Sequence, residues 1–297
     1  MTTRVERAHA KINLVLRILE REASGYHGIE TLFQRLALHD VVTVRVGGSD
    51  RTLVCDGPTM PAEGLGVVEN NLAWRAASLY ANESRWETGW EITIDKQIPV
   101  GGGLGGGSAD AAAVLRAMDA LSPKPLGTSR LLEMGRALGA DVPFLVTGAS
   151  RAWGWGRGDR LMLLPSLQHV PVTLFTFAEG VNTGAAYGAF AETRAHGDAA
   201  VGSKVYDIES LTSWEQVARI AANDFERVVP HLHAGVAFVL PVIRRVVASA
   251  RERGHPIIGQ LSGSGATCFL LQAGDASAGV NVGLNFPGFR VFITHTA

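Results

Sequence analysis

Between Pro99 and Asp110 the chain reads Pro-Val-Gly-Gly-Gly-Leu-Gly-Gly-Gly-Ser-Ala-Asp, with six glycines in the seven positions 101–107. Each glycine costs backbone entropy that alanine would not, so such a run is not there for stability. It lets the backbone turn tightly and approach a ligand. An apolar helical pattern follows at once, through Ala111, Val114, Leu115, Met118 and Leu121. A glycine turn feeding a helix N-terminus directs unpaired N–H groups and the positive end of the helix dipole at one point, which suits a phosphate.

Which phosphate site this is depends on what surrounds it. Gly101-x-Gly103-x-x-Gly106 matches a dinucleotide fingerprint in form. That fingerprint also needs a second strand ending in an acidic residue. Here the helix runs instead into Ser122-Pro123-Lys124-Pro125. No Lys-Ser/Thr pair follows the last glycine, so the Walker pattern is absent as well. Backbone N–H groups alone can still wrap phosphates, with Ser108 either capping the helix or reaching the ligand.

The chain is long enough for one large or two ordinary domains, with 297 residues and 46% hydrophobic content. A net charge of −1 argues against a nucleic-acid binder that relies on bulk electrostatics. No apolar run reaches membrane-spanning length and the N-terminus has no signal-like segment, so the expected location is cytoplasmic. Cys55 and Cys268 are read as two reduced thiols, and His231-x-His233 as surface histidines rather than a zinc site.

Alternation over 11–18 predicts a half-buried strand, with Lys11, Asn13, Val15 and Arg17 on one face. Ser24–Gly28 reads as a turn, 42–46 and 90–95 as strands, and 50–66 as a turn-rich excursion. Helices are expected over 70–80, 109–121, 131–138, 217–229 and 236–253. Strands are expected over 170–177, 268–271 and 289–293, and a surface loop over 191–204. Mixed elements without strict βαβ alternation suggest an α+β chain in two lobes.

Several side chains stand out within this frame. Lys11 lies in an apolar stretch and reads equally as a solvent-facing lysine. Asp141, in Gly139-Ala140-Asp141-Val142-Pro143, reads first as a helix cap. Its functional alternative is a carboxylate accepting a proton from a substrate hydroxyl. Tyr26-His27 reads as a surface turn or as rings suited to a nucleobase.

Taken in order, Ala10-Lys11-Ile12-Asn13-Leu14, Gly25-Tyr26-His27, Thr31-Leu32-Phe33-Gln34, Asn71-Leu72, Ile98 to Ala112, Leu138 to Phe144, Asn223 to Glu226 and Ser262 to Ala266 resemble the GHMP kinase superfamily (galactokinase, homoserine kinase, mevalonate kinase, phosphomevalonate kinase). Within it, Lys11, Tyr26-His27 and Gly139 to Pro143 are similar to the branch that phosphorylates a cytidyl diphosphate polyol in non-mevalonate isoprenoid synthesis. The resemblance implies an α+β, two-lobed GHMP fold. Residues 1–162 would form an ATP-binding lobe like domain 2 of ribosomal protein S5. Residues 163–297 would form a ferredoxin-like lobe completing the substrate cleft.

The resemblance also implies roles. Asp141 would be the general base on the C2 hydroxyl. Lys11 would keep that carboxylate charged and help neutralise the moving γ-phosphoryl. Asn71, Leu72 and Lys96 would serve adenine. Pro99, Gly101, Gly102, Gly103, Gly105, Gly106, Gly107 and Ser108 would wrap the triphosphate. Asn13, Tyr26, His27, Thr183 and Tyr187 would hold the cytidyl substrate. ATP and Mg²⁺ are the implied cofactors; no Mg²⁺ ligand is assigned, Asp110 being an acidic candidate that reads as well as a first-turn carboxylate favourable to the helix. The implied partner is the small-molecule substrate alone, without nucleic acid or membrane, on a monomer or weak homodimer. Two departures from the family pattern are His9 in place of proline and Ala109 in place of a second serine.

Overall fold

The structure is a computed structural model that describes residues 2–21, 27–195, 206–273 and 289–297. Its elements, in order, are β1 (Thr2–Arg21), β2 (His27–Val46), β3 (Arg51–Asp56), α1 (Leu72–Ser84), β4 (Trp90–Asp95), α2 (Gly106–Leu121), α3 (Thr128–Leu138) and α4 (Val142–Thr147). There follow β5 (Arg151–Gly156), β6 (Arg160–Leu164), β7 (Pro171–Phe177), α5 (Thr183–Ala195), α6 (Trp214–Ile220), β8 (Ala222–Asn223), α7 (Val229–Leu232), α8 (Ala234–Glu252), β9 (Ile257–Leu261), β10 (Cys268–Gln272) and β11 (Phe289–His295). The chain divides into two compact units. One comprises Met1–Lys11, Ala37–Val100 and Gly105–Ala149; the other comprises Ile12–Leu36, Gly101–Leu104 and Ser150–Ala297.

In the first unit the strand order is β3-β4-β2-β1. β4 pairs antiparallel with residues 41–46 of β2 and parallel with β3. The expected turn-rich excursion over 50–66 therefore begins with a strand. The β3 pattern Arg-Thr-Leu-Val-Cys-Asp is exposed or half-buried throughout, as suits an edge, so no apolar face marks it. α2 is buried nearly all round, through Ala109, Ala111, Ala112, Ala113, Val114, Leu115, Ala117 and Met118. A helix without a polar face belongs in a core, and its small alanines let α1, α3 and α4 pack closely. Burying each larger side chain such as Leu115 or Met118 contributes about 1.5–3 kcal/mol. Arg116 turns outward and donates to the Leu145 carbonyl at 2.7 Å and the Arg7 carbonyl at 3.2 Å, fixing α2 against α4 and β1.

In the second unit β7, β9, β10 and β11 form an antiparallel sheet in the order β11-β7-β10-β9. Numbered along the chain this is 4-1-3-2, with helices between its first two strands. That is the order of the expected ferredoxin-like sheet. Its core gathers Phe175, Phe190, Phe225, Val236, Val239, Leu240, Ile243 and Leu261. Residues 29–34 of β2 pair with β5, which pairs with β6, and residues 15–16 of β1 pair in parallel with β8.

Three local expectations need correction. Residues 10–16 are all buried, so β1 is covered on both faces there. Alternating chemistry did not mean alternating exposure, because Lys11 and Asn13 are enclosed with polar partners. The helix expected over 217–229 is broken. α6 stops at Ile220, and the chain passes through β8 and a 3-10 turn before α7. Asn223 breaks it by donating its amide to the carbonyls of Leu261 and Gly263, each at 2.8 Å, and accepting from Phe225 N–H at 3.0 Å. Such side-chain bonds offer the backbone an alternative to helix. Residues 191–195 of the expected loop close α5, while 196–204 and most of the Ser24–Gly28 turn, through Tyr26, lie outside the described residues. No strand follows α2 directly, since α3 comes next, as the Pro-rich break predicts. Both cysteines are free. No described helix is long and apolar enough to cross a membrane.

Candidate active site

α2 begins at Gly106, three residues before the helix expected over 109–121. Its N-cap is Gly105, with φ +72°, and no side chain caps the helix. Ser108 therefore sits inside the first turn and is not the cap. The first-turn N–H groups of Gly106, Gly107 and Ser108 form an uncapped helix N-terminus, the arrangement that accepts an anion.

Lys11 and Asp141 meet beside Gly105. Lys11 is 3% exposed, and its Nζ lies 3.1 Å from Asp141 Oδ2. A Cβ added to Gly105 would stand 3.0 Å from Lys11 Cε and 3.6 Å from Asp141 Oδ2. The backbone can pass the ion pair only because that atom is missing. Asp141 does occupy the N-cap position of α4, but its side chain makes no capping bond. The local sequence explains this. A capping carboxylate bonds the N–H of the second or third helical residue. The second here is Pro143, which has no N–H, and Asp141 itself has helical backbone angles (φ −81°, ψ −21°) instead of the extended ones from which a cap reaches the third. The carboxylate is thus available to Lys11, and the helix-cap reading of Asp141 gives way.

The expected adenine residues lie around the same helix start. Leu72 Cδ1 is 3.8 Å from where a Gly107 Cβ would be. Asn71 caps α1, accepting from Ala73 N–H at 2.9 Å. Lys96 is 2% exposed and is held by two carboxylates, Asp40 and Asp110, the latter at 2.6 Å. Its Nζ lies 3.5 Å from the position of a Gly106 Cβ, under the first turn of α2. Pro99 follows Ile98, whose N–H donates to Asp40 at 2.7 Å. Ala109 is buried at 1%, so the hydroxyl that the family places there would point into the core of this unit.

The second unit carries the remaining residues. Gly103, at φ +76°, has no room for a side chain, because a Cβ would run into the Ser262 carbonyl oxygen. Ser262 Oγ donates to the Gly103 carbonyl at 3.0 Å, and Thr267 N–H to the Gly102 carbonyl at 3.0 Å. The glycine turn 262–265 thus braces residues 101–104. The rings of His27 and Tyr187 are stacked, with centroids 5.3 Å apart and planes 12° from parallel. Phe225 holds Tyr187 edge-on at 4.9 Å. Asn13 is buried, and its amide donates to Thr31 Oγ1 at 2.8 Å, which in turn donates to the Val15 carbonyl at 2.8 Å. Thr183 Oγ1 lies 2.9 Å from Ser264 Oγ. Tyr26 is outside the described residues. Thr31, Phe225 and Ser262 stood in stretches that carry the family resemblance but had no role assigned to them. Asp40 was not singled out, although it is an acidic residue just ahead of the apolar alternation Val42, Val44, Val46.

His233 caps α8, accepting from Val236 N–H at 3.2 Å, and its other ring nitrogen meets the Glu179 carbonyl at 3.0 Å. Trp153, on β5, packs against Tyr206 with ring centroids 4.7 Å apart.

Residues 71–149 match the family model for the GHMP kinases N terminal domain. The 4-diphosphocytidyl-2-C-methyl-D-erythritol kinase of Synechococcus sp. strain JA-3-3Ab is 36% identical over 90% of this chain and 84% of its own length. The enzyme of that name from Paracoccus denitrificans is 37% identical over 93% and 89%. A crystal structure of 4-(cytidine 5'-diphospho)-2C-methyl-D-erythritol kinase superposes with a TM-score of 0.70 at 31% identity, covering 99% of both chains. A mevalonate kinase structure, at 12% identity over 98% of this chain and 99% of its own, with a TM-score of 0.62, shares the fold. A helix start open to phosphate, an ion pair beside it and a likeness running the length of the chain lead to one placement: this chain belongs to the 4-diphosphocytidyl-2-C-methyl-D-erythritol kinase family of GHMP kinases.

Proposed function

We propose that this chain transfers the γ-phosphoryl group of ATP to the C2 hydroxyl of 4-diphosphocytidyl-2-C-methyl-D-erythritol, a cytoplasmic step of non-mevalonate isoprenoid precursor synthesis. The observation that carries the roles is the Lys11–Asp141 pair, at 3.1 Å, packed against the N-cap glycine of α2. Asp141 takes the proton of the C2 hydroxyl as that oxygen bonds to the γ-phosphorus. The bond from the γ-phosphorus to the β–γ bridging oxygen breaks, and ADP leaves. Lys11 offsets the charge that gathers on the transferring group. Such transfers depend on positioning and charge neutralisation more than on covalent chemistry. A tertiary alcohol is hindered, which makes a well-placed base more useful.

Mg²⁺ belongs to this reaction as part of the nucleotide. Among the described residues no group of three or more His, Cys, Asp or Glu is placed to hold a metal ion. Asp110, one turn into α2, is engaged by Lys96. Mg²⁺ would then arrive with the nucleotide, held chiefly by its phosphates, and would supply charge neutralisation during the transfer.

On the second unit, the His27–Tyr187 pair offers a flat surface for cytosine, and Asn13, its amide fixed through Thr31, offers hydrogen bonding. Base–aromatic stacking is worth about 1–3 kcal/mol per base. Tyr187→Ala should therefore raise KM for the cytidyl substrate by roughly 5–150-fold, with a much smaller change in kcat. An equal loss in both terms would assign Tyr187 to the fold instead. The whole reading is tested by a coupled ADP-release assay over a panel of alcohols. Release should require the cytidyl substrate, and turnover of mevalonate or homoserine in its place would overturn it.

A further inference from the structure

One buried cluster has no part in the scheme above. Lys96 is the only cation in it, against the carboxylates of Asp40 and Asp110, all three at most 3% exposed. It lies under the helix start proposed to receive the phosphates. We infer that Asp40, Lys96 and Asp110 form a positioning device for the nucleotide's phosphates, in which Asp110 takes up a proton as the anionic nucleotide reaches the first turn of α2. This rests on the reading of that helix start as the phosphate site.

The geometry divides the labour within the cluster. Asp40 Oδ1 accepts from the N–H groups of Gln97 at 2.6 Å and Ile98 at 2.7 Å, and its Oδ2 accepts from Lys96. Both of its oxygens are committed, and the two backbone bonds fix the chain just ahead of Pro99. Asp110 Oδ2 accepts from Lys96 at 2.6 Å, while its Oδ1 is buried without a hydrogen-bond partner. That oxygen is the place for a proton. The cluster thereby joins the end of β4 to the start of α2 through one ammonium group.

Charge supplies the linkage. With both carboxylates ionised, the cluster holds one net negative charge about a turn from the N–H groups that face the phosphates. Burial raises the Asp110 carboxyl to about 7, with Lys96 pulling it down and Asp40 pushing it up. A nearby like charge favours the neutral form of an acid further. An arriving polyphosphate therefore raises this group again, and between its free and bound values the protein gains a fraction of a proton. The other titratable groups facing Asp110 do not supply that gain. Burial pulls Lys96 down, but Asp110 and Asp40 outweigh it and leave it raised, so it is already protonated. Burial and then the Asp110 charge raise the Cys55 thiol, which stays neutral throughout. Asp40 faces Asp110 as a second carboxylate and pushes the Asp110 carboxyl up.

The test is calorimetric titration of the whole protein with Mg·ATP, without the polyol substrate, at slightly alkaline pH in buffers of different ionisation enthalpy. The slope of binding enthalpy against buffer enthalpy counts protons. Wild-type protein should take up a fraction of a proton. Asp110→Asn should bind with that uptake gone and with an ATP KM that no longer varies with pH. Asp141→Asn should keep the uptake. A zero slope for the wild-type protein, which needs no variant to fold, would overturn the inference, as would an unchanged slope in Asp110→Asn. Absence of any nucleotide binding by the wild-type protein would overturn the phosphate-site reading itself.

Discussion

Asp141→Asn should lower kcat by about 10²–10⁴-fold, the range of general base catalysis, and leave nucleotide affinity close to wild type. Asparagine keeps the shape of the side chain and an oxygen that can accept from Lys11 Nζ, now 3.1 Å from the carboxylate. What it loses is the ability to take a proton. The loss should fall equally on kcat and kcat/KM, as expected of an interaction made only in the transition state. Stability should change little. Asp141 makes no capping bond to α4, and its side chain is 30% exposed, so water already shares it. Steady-state kinetics and a thermal melt on the same preparation separate these outcomes. Unchanged turnover with a lowered melting temperature would return Asp141 to a role in the fold.

The glycine run, with its helix, was legible in the sequence because glycine and apolar periodicity are local signals. The helix boundary was not. Gly106 and Gly107 carry no side chains to join the periodic pattern, yet they form the first turn. Asp141 shows a different limit. Asp-x-Pro is a sound cap signal, and what sets Asp141 apart from a cap is the missing N–H of Pro143 together with its own helical backbone angles, which no local sequence pattern shows. Lys11 was ambiguous for a physical reason as well. A polar residue in an alternating strand is usually solvent-facing, and its burial here depends on a partner 130 positions away in the chain. β6 and β9 escaped notice because Leu-Met-Leu-Leu and Ile-Ile-Gly-Gln lack clean alternation, and β5 because its tryptophans alternate with glycine, a residue that weakens a strand signal. Asp110 stood out in the sequence as an acidic residue in the first turn after the glycines, whereas nothing local marked Asp40 as its neighbour. Their meeting at Lys96 is set by pairing between β2 and β4 and by the seat of α2.

Lys11→Met should lower kcat by about 10²–10³-fold, the cost of removing one preorganised donor from developing charge. Methionine suits the test because the stem of Lys11 packs under Gly105, where a Cβ would stand 3.1 Å from Cγ and 3.0 Å from Cε. An alanine there would leave a hole and mix lost packing with lost charge. With methionine the hole is filled and the ammonium alone is gone. The decisive measurement adds the double variant, Lys11→Met with Asp141→Asn. If the two groups act on one proton and one phosphoryl group, the second substitution removes little that the first has left. The combined loss should then be close to that of Asp141→Asn alone. Independent contributions would multiply instead, giving a loss about 10²–10³-fold beyond that of Asp141→Asn alone. That result would mean that Lys11 serves the nucleotide without reference to Asp141, and the 3.1 Å contact between them would be a feature of the resting site only.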